Sequence, residues 1–211
     1  MEKTGGVMTG HSTYRVEVKH GLVGLDDIVR SCRSTRIYDE SDPISYDLMV
    51  TLVNLARRSA SAANRQPLLY HVVSDKEEVD KVFEYTGWLH SEKGVEVPAE
   101  GSRPTGYIVI LSSKELGASG FMDVGIAAQT ICMGAAKAEF GGCMIKSIKP
   151  GLVDVLDVDN KDLQVQLVIA LGKPGETYAL EVGDPTQNNG IYRDEDGVLH
   201  VVKRPLTDVL V

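Results

Sequence analysis

Apolar positions along the chain fall into two rhythms, one helical and one strand-like. Leu48, Met49, Leu52, Leu55 and Ala56 recur every three or four residues, which predicts a helix over Ser45 to Arg58 with one apolar stripe. Ser45 suits its N-cap, Asp47 suits the positive end of the helix dipole, and Arg57 and Arg58 close the last turn. A shorter helix is predicted over Leu25 to Ser31. The apolar run Leu68 to Ser74 reads as a buried strand, and Ser74 with Glu77 reads as a capping box that starts a helix to about Tyr85. Tyr107 to Leu111 is a second strand. Phe121 to Glu139 is the longest predicted helix and is apolar nearly all round, so burial on most of its faces is expected. Its glycines and alanines (Gly125, Ala127, Ala128, Gly134, Ala135, Ala136) would let another helix approach closely, either across a subunit interface or inside one monomer. Phe140 to Ile148 predicts a glycine turn at Gly141-Gly142, then a strand, then a loop. Lys149-Pro150 opens a short helix to Leu156, Leu163 to Leu171 is a strong strand, and Asp196-Gly197 marks a turn before Val198 to Val202. Apolar strands alternating with helices predict an α/β or α+β sandwich, one sheet between helices.

Three stretches lack either rhythm. Residues 1–24 hold five glycines and little apolar periodicity, which predicts a flexible leader before a single domain over 25–211. Gly87 to Pro104 contains Trp88, the only tryptophan, and is long for a connection in a compact domain. It reads as a lid whose Trp88 lies near a bound acceptor, or as a spacer in which Trp88 merely packs. Ser59 to Pro67 is rich in small side chains that admit a flat ligand, with amides at Asn64 and Gln66 that both donate and accept. The same composition suits an ordinary polar loop.

The 211 residues are 43% hydrophobic with a formal net charge of -8, as expected of a globular chain. That balance and the lack of a Lys/Arg-rich run argue against a nucleic-acid or membrane-surface partner, and no apolar run suits a bilayer span. Cys32, Cys132 and Cys143 are odd in number and form no CxxC pair. They predict buried thiols in a reducing, cytoplasmic setting and no structural metal. His71 inside an apolar strand reads as a satisfied structural residue. The five histidines make no Ser/His/Asp, Cys/His or metal-spaced set, and no GxGxxG follows a strand.

In this acidic chain the segment Arg33-Ser34-Thr35-Arg36 stands out, because two guanidiniums flank two hydroxyls within four residues. Such a segment can grip a phosphate through planar, bidentate donors. Two solvated arginines at a helix end would carry the same residues.

Read together, the segments resemble one family. Arg33 to Arg36 resembles the RS-x-R opening of the nitroreductase family of FMN-dependent NAD(P)H oxidoreductases, and Ser61 to Pro67 resembles its (P)SA-x-N-x-QP segment. Asp123 to Thr130 with Gly141 to Ile145 resembles its central helix and following glycines, and Val168 to Pro174 its ALG-x-P strand end. The resemblance implies an α+β, nitroreductase-like sandwich: a central mixed or antiparallel sheet flanked by helices, in an intertwined homodimer with FMN at the subunit interface. It implies that Arg33, Ser34 and Arg36 reach the phosphate, ribityl and pyrimidine side of FMN, with Lys203 and Arg204 completing the phosphate cluster from the tail. Ser61, Ala62, Ala63, Asn64 and Gln66 would approach from the other subunit, and Met144, Ile145, Lys146 and Ser147 would pass over the ring near N5. The sequence departs from the family at Cys32, where a further Arg or Asn is common, at Leu68, which replaces a Trp, and at Lys146, where Gly is more usual.

The implied activity is hydride transfer from NAD(P)H through flavin N5 to a small electron-poor acceptor such as a nitro compound or quinone. No protein residue is then needed as nucleophile or acid. A flavin-binding protein without turnover, for sensing or storage, is the competing expectation, and an interaction domain without cofactor is a third.

Overall fold

The computed structural model describes residues 22–88, 98–113, 115–186 and 190–211. Most of the expected leader and residues 89–97 of the expected lid lie outside them. The chain forms two compact units, one over Gly24–Glu176 and a smaller one that includes Thr177–Val211.

The larger unit is built round strand β5 (Gln164–Pro174). It pairs antiparallel with β3 (Gly106–Ser112), β4 (Gly141–Ile145) and the short β1 (Tyr38–Asp39), while β2 (Leu68–Val73) lies antiparallel on the far side of β3. All seven residues of β3 are buried, so both of its faces are covered. Its alternate side chains enter two cores. Ile108 and Ile110 join Met49, Leu52, Ala128 and Ile131 from helices α2 (Tyr46–Ala56) and α4 (Ala118–Lys137). Tyr107, Val109 and Leu111 join Val79, Val82 and Leu152 from α3 (Lys76–Tyr85) and α5 (Leu152–Val155). Helices on both faces of an antiparallel sheet make this an α+β sandwich, as expected.

The predicted N-cap of α2 holds, but the helix ends at Ala56 with Arg57 as its C-cap, so Arg57 and Arg58 lie beyond its last turn. Ser45 caps α2, its side chain accepting from the Leu48 amide at 3.2 Å. Gly134 of α4 lies where a β-carbon would press on Leu52 and Leu55, so the small-residue stripe does admit a second helix, α2. Three further readings are corrected. Helix α3 is capped by Asp75, not Ser74: its carboxylate reaches the amides of both Glu77 and Glu78, which one hydroxyl cannot match. Gly141 and Gly142 lie inside β4, and the turn precedes them, at Glu139 with φ 63°. Helix α4 is not buried all round in one chain, since Phe121, Met122 and Ile126 are exposed.

The smaller unit contains a three-stranded sheet. β8 (Leu199–Lys203) runs parallel to β6 (Tyr178–Val182) and antiparallel to β7 (Ile191–Arg193). Helix α1 (Val23–Ser31) precedes the first strand of the chain.

Candidate functional site

The arginine-flanked segment is laid against the start of β4. Ser34 bridges Gly142 in parallel register, and the Thr35 amide donates to the Gly142 carbonyl at 3.1 Å. Thr35 is buried against Gly141, where any β-carbon would collide with its hydroxyl and methyl group. This close approach is why glycine is needed there. Beyond it, the Glu176 carboxylate accepts from the amides of both Arg36 and Ile37, and the Tyr38 hydroxyl donates to the Thr35 carbonyl at 2.7 Å. The backbone is therefore fixed at both ends. Arg33 donates from Nη2 to the Val29 carbonyl at 2.6 Å, while its Nε is buried without a partner. Arg36 makes one long contact, Nη1 to the Ser34 carbonyl at 3.4 Å.

A cleft of about 310 Å³ opens beside this segment, lined by Arg36, Gly87, Trp88 and the strand end from Cys143 to Ser147. Its far wall is sewn to β4's continuation by backbone bonds. Gly87 donates to the Ser147 carbonyl at 2.7 Å, Thr86 bridges Ile148, and Lys149 donates to the Tyr85 carbonyl at 2.8 Å. A β-carbon at position 87 would strike the Ser147 side chain. The half-buried Trp88 donates from Nε1 to the Thr86 hydroxyl at 3.0 Å and leans on Phe83, with ring centroids 6.0 Å apart. The Arg103 guanidinium covers Phe83, 4.3 Å from its centroid. Trp88 thus both lines the cleft and packs. Lys146 is exposed, and its Nζ donates to the Gln166 carbonyl at 2.7 Å. Burial raises the Cys143 thiol above its ordinary pKa, a shift that Arg36 partly opposes. Cys132 is pushed up to about 12 by burial, and Cys32 is raised for the same reason. All three are free thiols in neutral form at pH 7, so none supplies a thiolate nucleophile.

The second small-residue loop lies at a different place on the same unit. Ser59, Ala60, Ser61, Gln66 and Pro67 line a cavity of about 180 Å³ together with Tyr70 and Asp123. Asp123, on α4 and 5% exposed, anchors the loop by accepting from the Ser61 hydroxyl at 2.7 Å and the Ala62 amide at 3.0 Å. Ser61 in turn accepts from the Gln66 amide at 2.9 Å, and Gln66 donates from its side chain to Asn64. Between these ties Ala63, Asn64 and Gln66 take φ of 51°, 51° and 48°. Three left-handed non-glycine residues in four positions are strained backbone. Ala63 and Asn64 are exposed at its tip.

Within the larger unit the structure therefore brings Arg36, Trp88, Met144, Ile145, Lys146 and Ser147 round one cleft. Ser61 and Gln66 line the other cavity, with Ala62, Ala63 and Asn64 between them in the loop. Arg33 and Ser34 lie next to Arg36 on the segment against β4. Lys203 and Arg204 are exposed at the end of β8 in the smaller unit. His71 accepts its expected structural role, its Nε2 2.8 Å from Glu78, which also caps the Asp157 amide. Sequence reading missed the working parts played by Asp123, Thr86 and Glu176. Asp123 alone left a signal, one carboxylate on an otherwise apolar helix.

A helix-covered antiparallel sheet of this arrangement is shared with proteins of the nitroreductase fold. The comparisons agree. Residues 29–97 match the model of the nitroreductase family. A putative nitroreductase from Desulfovibrio desulfuricans, solved in complex with FMN, is 18% identical with a TM-score of 0.62, covering 92% of this chain and 97% of that one. A nitroreductase family protein from Clostridium novyi NT is 19% identical with a TM-score of 0.58, covering 71% and 85%. The FMN-dependent nitroreductase NfnB from Mycobacterium smegmatis, in complex with NADPH, is 16% identical with a TM-score of 0.56, covering 72% and 87%. No curated protein matches the sequence. The resemblance is borne out by the family match over residues 29–97, and the α+β sandwich it implied by the structural neighbours. No helix among the described residues is long and apolar enough to cross a membrane.

Proposed function

We propose that this chain is an FMN-dependent oxidoreductase that takes hydride from NAD(P)H and passes it to a small electron-poor acceptor, working as a cytoplasmic homodimer. The observation that carries the reading is the cleft in which Arg36, Trp88 and the strand end Met144 to Ser147 meet beside Arg33 and Ser34. The residues present fit FMN. The buried Arg33 Nε lacks an acceptor, and a phosphate oxygen would supply one. FMN-bound and NADPH-bound proteins of the same fold support the same choice.

When bound, FMN supplies the N5 position that accepts and releases hydride. The chain's own residues bind and orient. Arg33 and Ser34 hold the phosphate and ribityl side, aided by Lys203 and Arg204. Arg36 sets positive charge beside the ring's pyrimidine side. Met144 to Ser147 cover the ring, and Trp88 walls the space for the acceptor. The loop Ser61, Ala62, Ala63, Asn64 and Gln66 serves the partner subunit's site. That last assignment is supported by α4, which carries Asp123 under the loop and also the exposed apolar residues Phe121, Met122 and Ile126. A solvated stripe of this kind suits a second copy.

The test is direct. Purified protein incubated with FMN should gain flavin absorbance after desalting, and anaerobic NADH or NADPH should bleach it. Light scattering should give twice the 22.9 kDa chain mass. Failure to hold flavin refutes the reading. Flavin that holds but does not bleach with either nicotinamide supports a binding protein without turnover.

A further inference from the structure

We propose that Lys146 makes the cleft selective for acceptors that carry a negative charge, small planar molecules bearing a carboxylate. The inference rests on the oxidoreductase reading and narrows its acceptor class. Among the described residues the cleft lining holds two cationic side chains, Arg36 and Lys146, and no Asp or Glu. In a chain of net charge -8 that local sign is against the average. The nearest carboxylate to the arginine segment, Glu176, is engaged by the backbone amides of Arg36 and Ile37. It tempers the field there without pairing with Lys146.

The Lys146 ammonium, on an exposed side chain among those that line the cleft, is anchored on the protein. It donates to the Gln166 carbonyl at 2.7 Å. Gln166 is itself buried, with its side-chain amide bound to the Ser112 hydroxyl at 2.9 Å, so the carbonyl is a rigid anchor. One N–H of three is used in this way, which leaves donors for an anion. A lysine fixed by one bond loses less side-chain freedom on binding than a free one. The apolar surfaces of Trp88 and Met144 in the same lining suit a flat ring.

The experiment pairs 4-nitrobenzoate with the neutral 4-nitrobenzyl alcohol on the FMN-loaded protein, on Lys146→Gln and on Lys146→Arg. Two readouts are taken: kcat/KM with NADH and NADPH, and quenching of Trp88. As the only tryptophan, Trp88 reports occupancy of the cleft without turnover. Lys146→Gln should lower kcat/KM and affinity for the anion about tenfold more than for the alcohol, with Lys146→Arg restoring most of that difference. Raising salt should weaken anion binding to the parent and not to Lys146→Gln. Equal effects on both acceptors would overturn the proposal. So would a selective rise in KM for NADPH, which would assign the lysine to the nicotinamide's phosphates. So would a shifted flavin midpoint potential with unchanged acceptor preference, which would assign it to the flavin. Charge-selective quenching by a protein that holds no flavin would keep the cleft's preference and refute the FMN reading alone.

Discussion

The two units of the chain are held together by different physics. In the larger one, Tyr107, Ile108, Val109 and Ile110 are wholly buried, and two apolar cores fill the faces of a five-stranded sheet. In the smaller one, among the described residues, Leu199 is the one buried large apolar side chain. What binds its strands is a polar stack. His200 on β8 lies 2.7 Å from Glu181 on β6 and 2.9 Å from Asp194 beyond β7, and its ring stacks on Tyr192 at 4.6 Å. The Tyr192 hydroxyl donates back to Glu181. The first unit should ignore pH and salt over a range in which the second responds to both, because burial is indifferent to proton concentration and charge pairing is not.

The largest expected effect tests the apolar side. Leu171→Ala removes a fully buried side chain from β5 and should cost about 2–5 kcal/mol of stability, measured by denaturant unfolding of the larger unit. Leu199→Ala should cost less and should act locally, lowering hydrogen-exchange protection of β8 alone. A global loss from Leu199→Ala equal to that from Leu171→Ala would break the comparison.

Next comes the proposed cofactor. Arg33→Ala should weaken FMN binding about ten- to a hundredfold and leave riboflavin affinity unchanged, since a charged hydrogen bond contributes about 1.5–3 kcal/mol. Lys203→Ala should cost no more than a few-fold, because an exposed charge is screened, and that loss should vanish at high salt. Titration of both flavins at two ionic strengths checks this, and a salt-insensitive Lys203→Ala defect would mean its ammonium is desolvated on binding.

Asp123→Ala leaves the Ser61 hydroxyl and Ala62 amide without their acceptor and should cost about 1–3 kcal/mol. Faster proteolysis and exchange over 61–66 are expected, with β8 unchanged. Asp123→Asn keeps an acceptor oxygen and should recover part of the loss.

The smallest effect is the pH response of the polar stack. The carboxylate of Asp194, then that of Glu181, raises the His200 pKa above the ordinary 6.5 against the opposing effect of burial. The protonated ring is therefore favoured by folding. Its contribution is complete below pH 6.5 and is lost as pH rises through the higher folded value. The partner term has the opposite sign: His200 and the Val198 amide lower the Asp194 pKa below 3.8, so its contribution is present above 3.8 and is lost as pH falls through the lower folded value. Protection of the β8 amides should fade on the alkaline side, with β3 unaffected and His200→Gln flattening the profile. Parallel fading of β3 would show that the two units unfold together.

Legibility in the sequence followed the same division. Strands β3 and β5, helix α2 and its cap were readable because burial on defined faces writes a period into the residues. The strands β1, β6 and β7 carry too few residues to establish a period, and β6 and β7 alternate half-buried with exposed positions. Gly141 and Gly142 were read as a turn because glycine marks chain reversal and close approach alike, and only the position of Thr35 decides between them. The arginine segment was legible as chemistry. Its clamp was not, since Glu176 lies 140 residues further on from Arg36. The meeting of Trp88 with Met144 to Ser147 was likewise closed by backbone bonds at Gly87, which leave no side-chain signature.

The left-handed turn at Ala63, Asn64 and Gln66 bears on how this protein can drift under mutation. At these positions selection acts on backbone handedness before it acts on side-chain chemistry. A library randomised there and sorted for folded, flavin-holding protein should be enriched in Gly and Asn and depleted of Val, Ile and Thr, whose branched β-carbons resist φ near 50°. Ser61, by contrast, should resist replacement because it both donates to Asp123 and accepts from Gln66. A loop of small, unremarkable residues can thus be nearly as constrained as a catalytic one, with the constraint written in torsion angles.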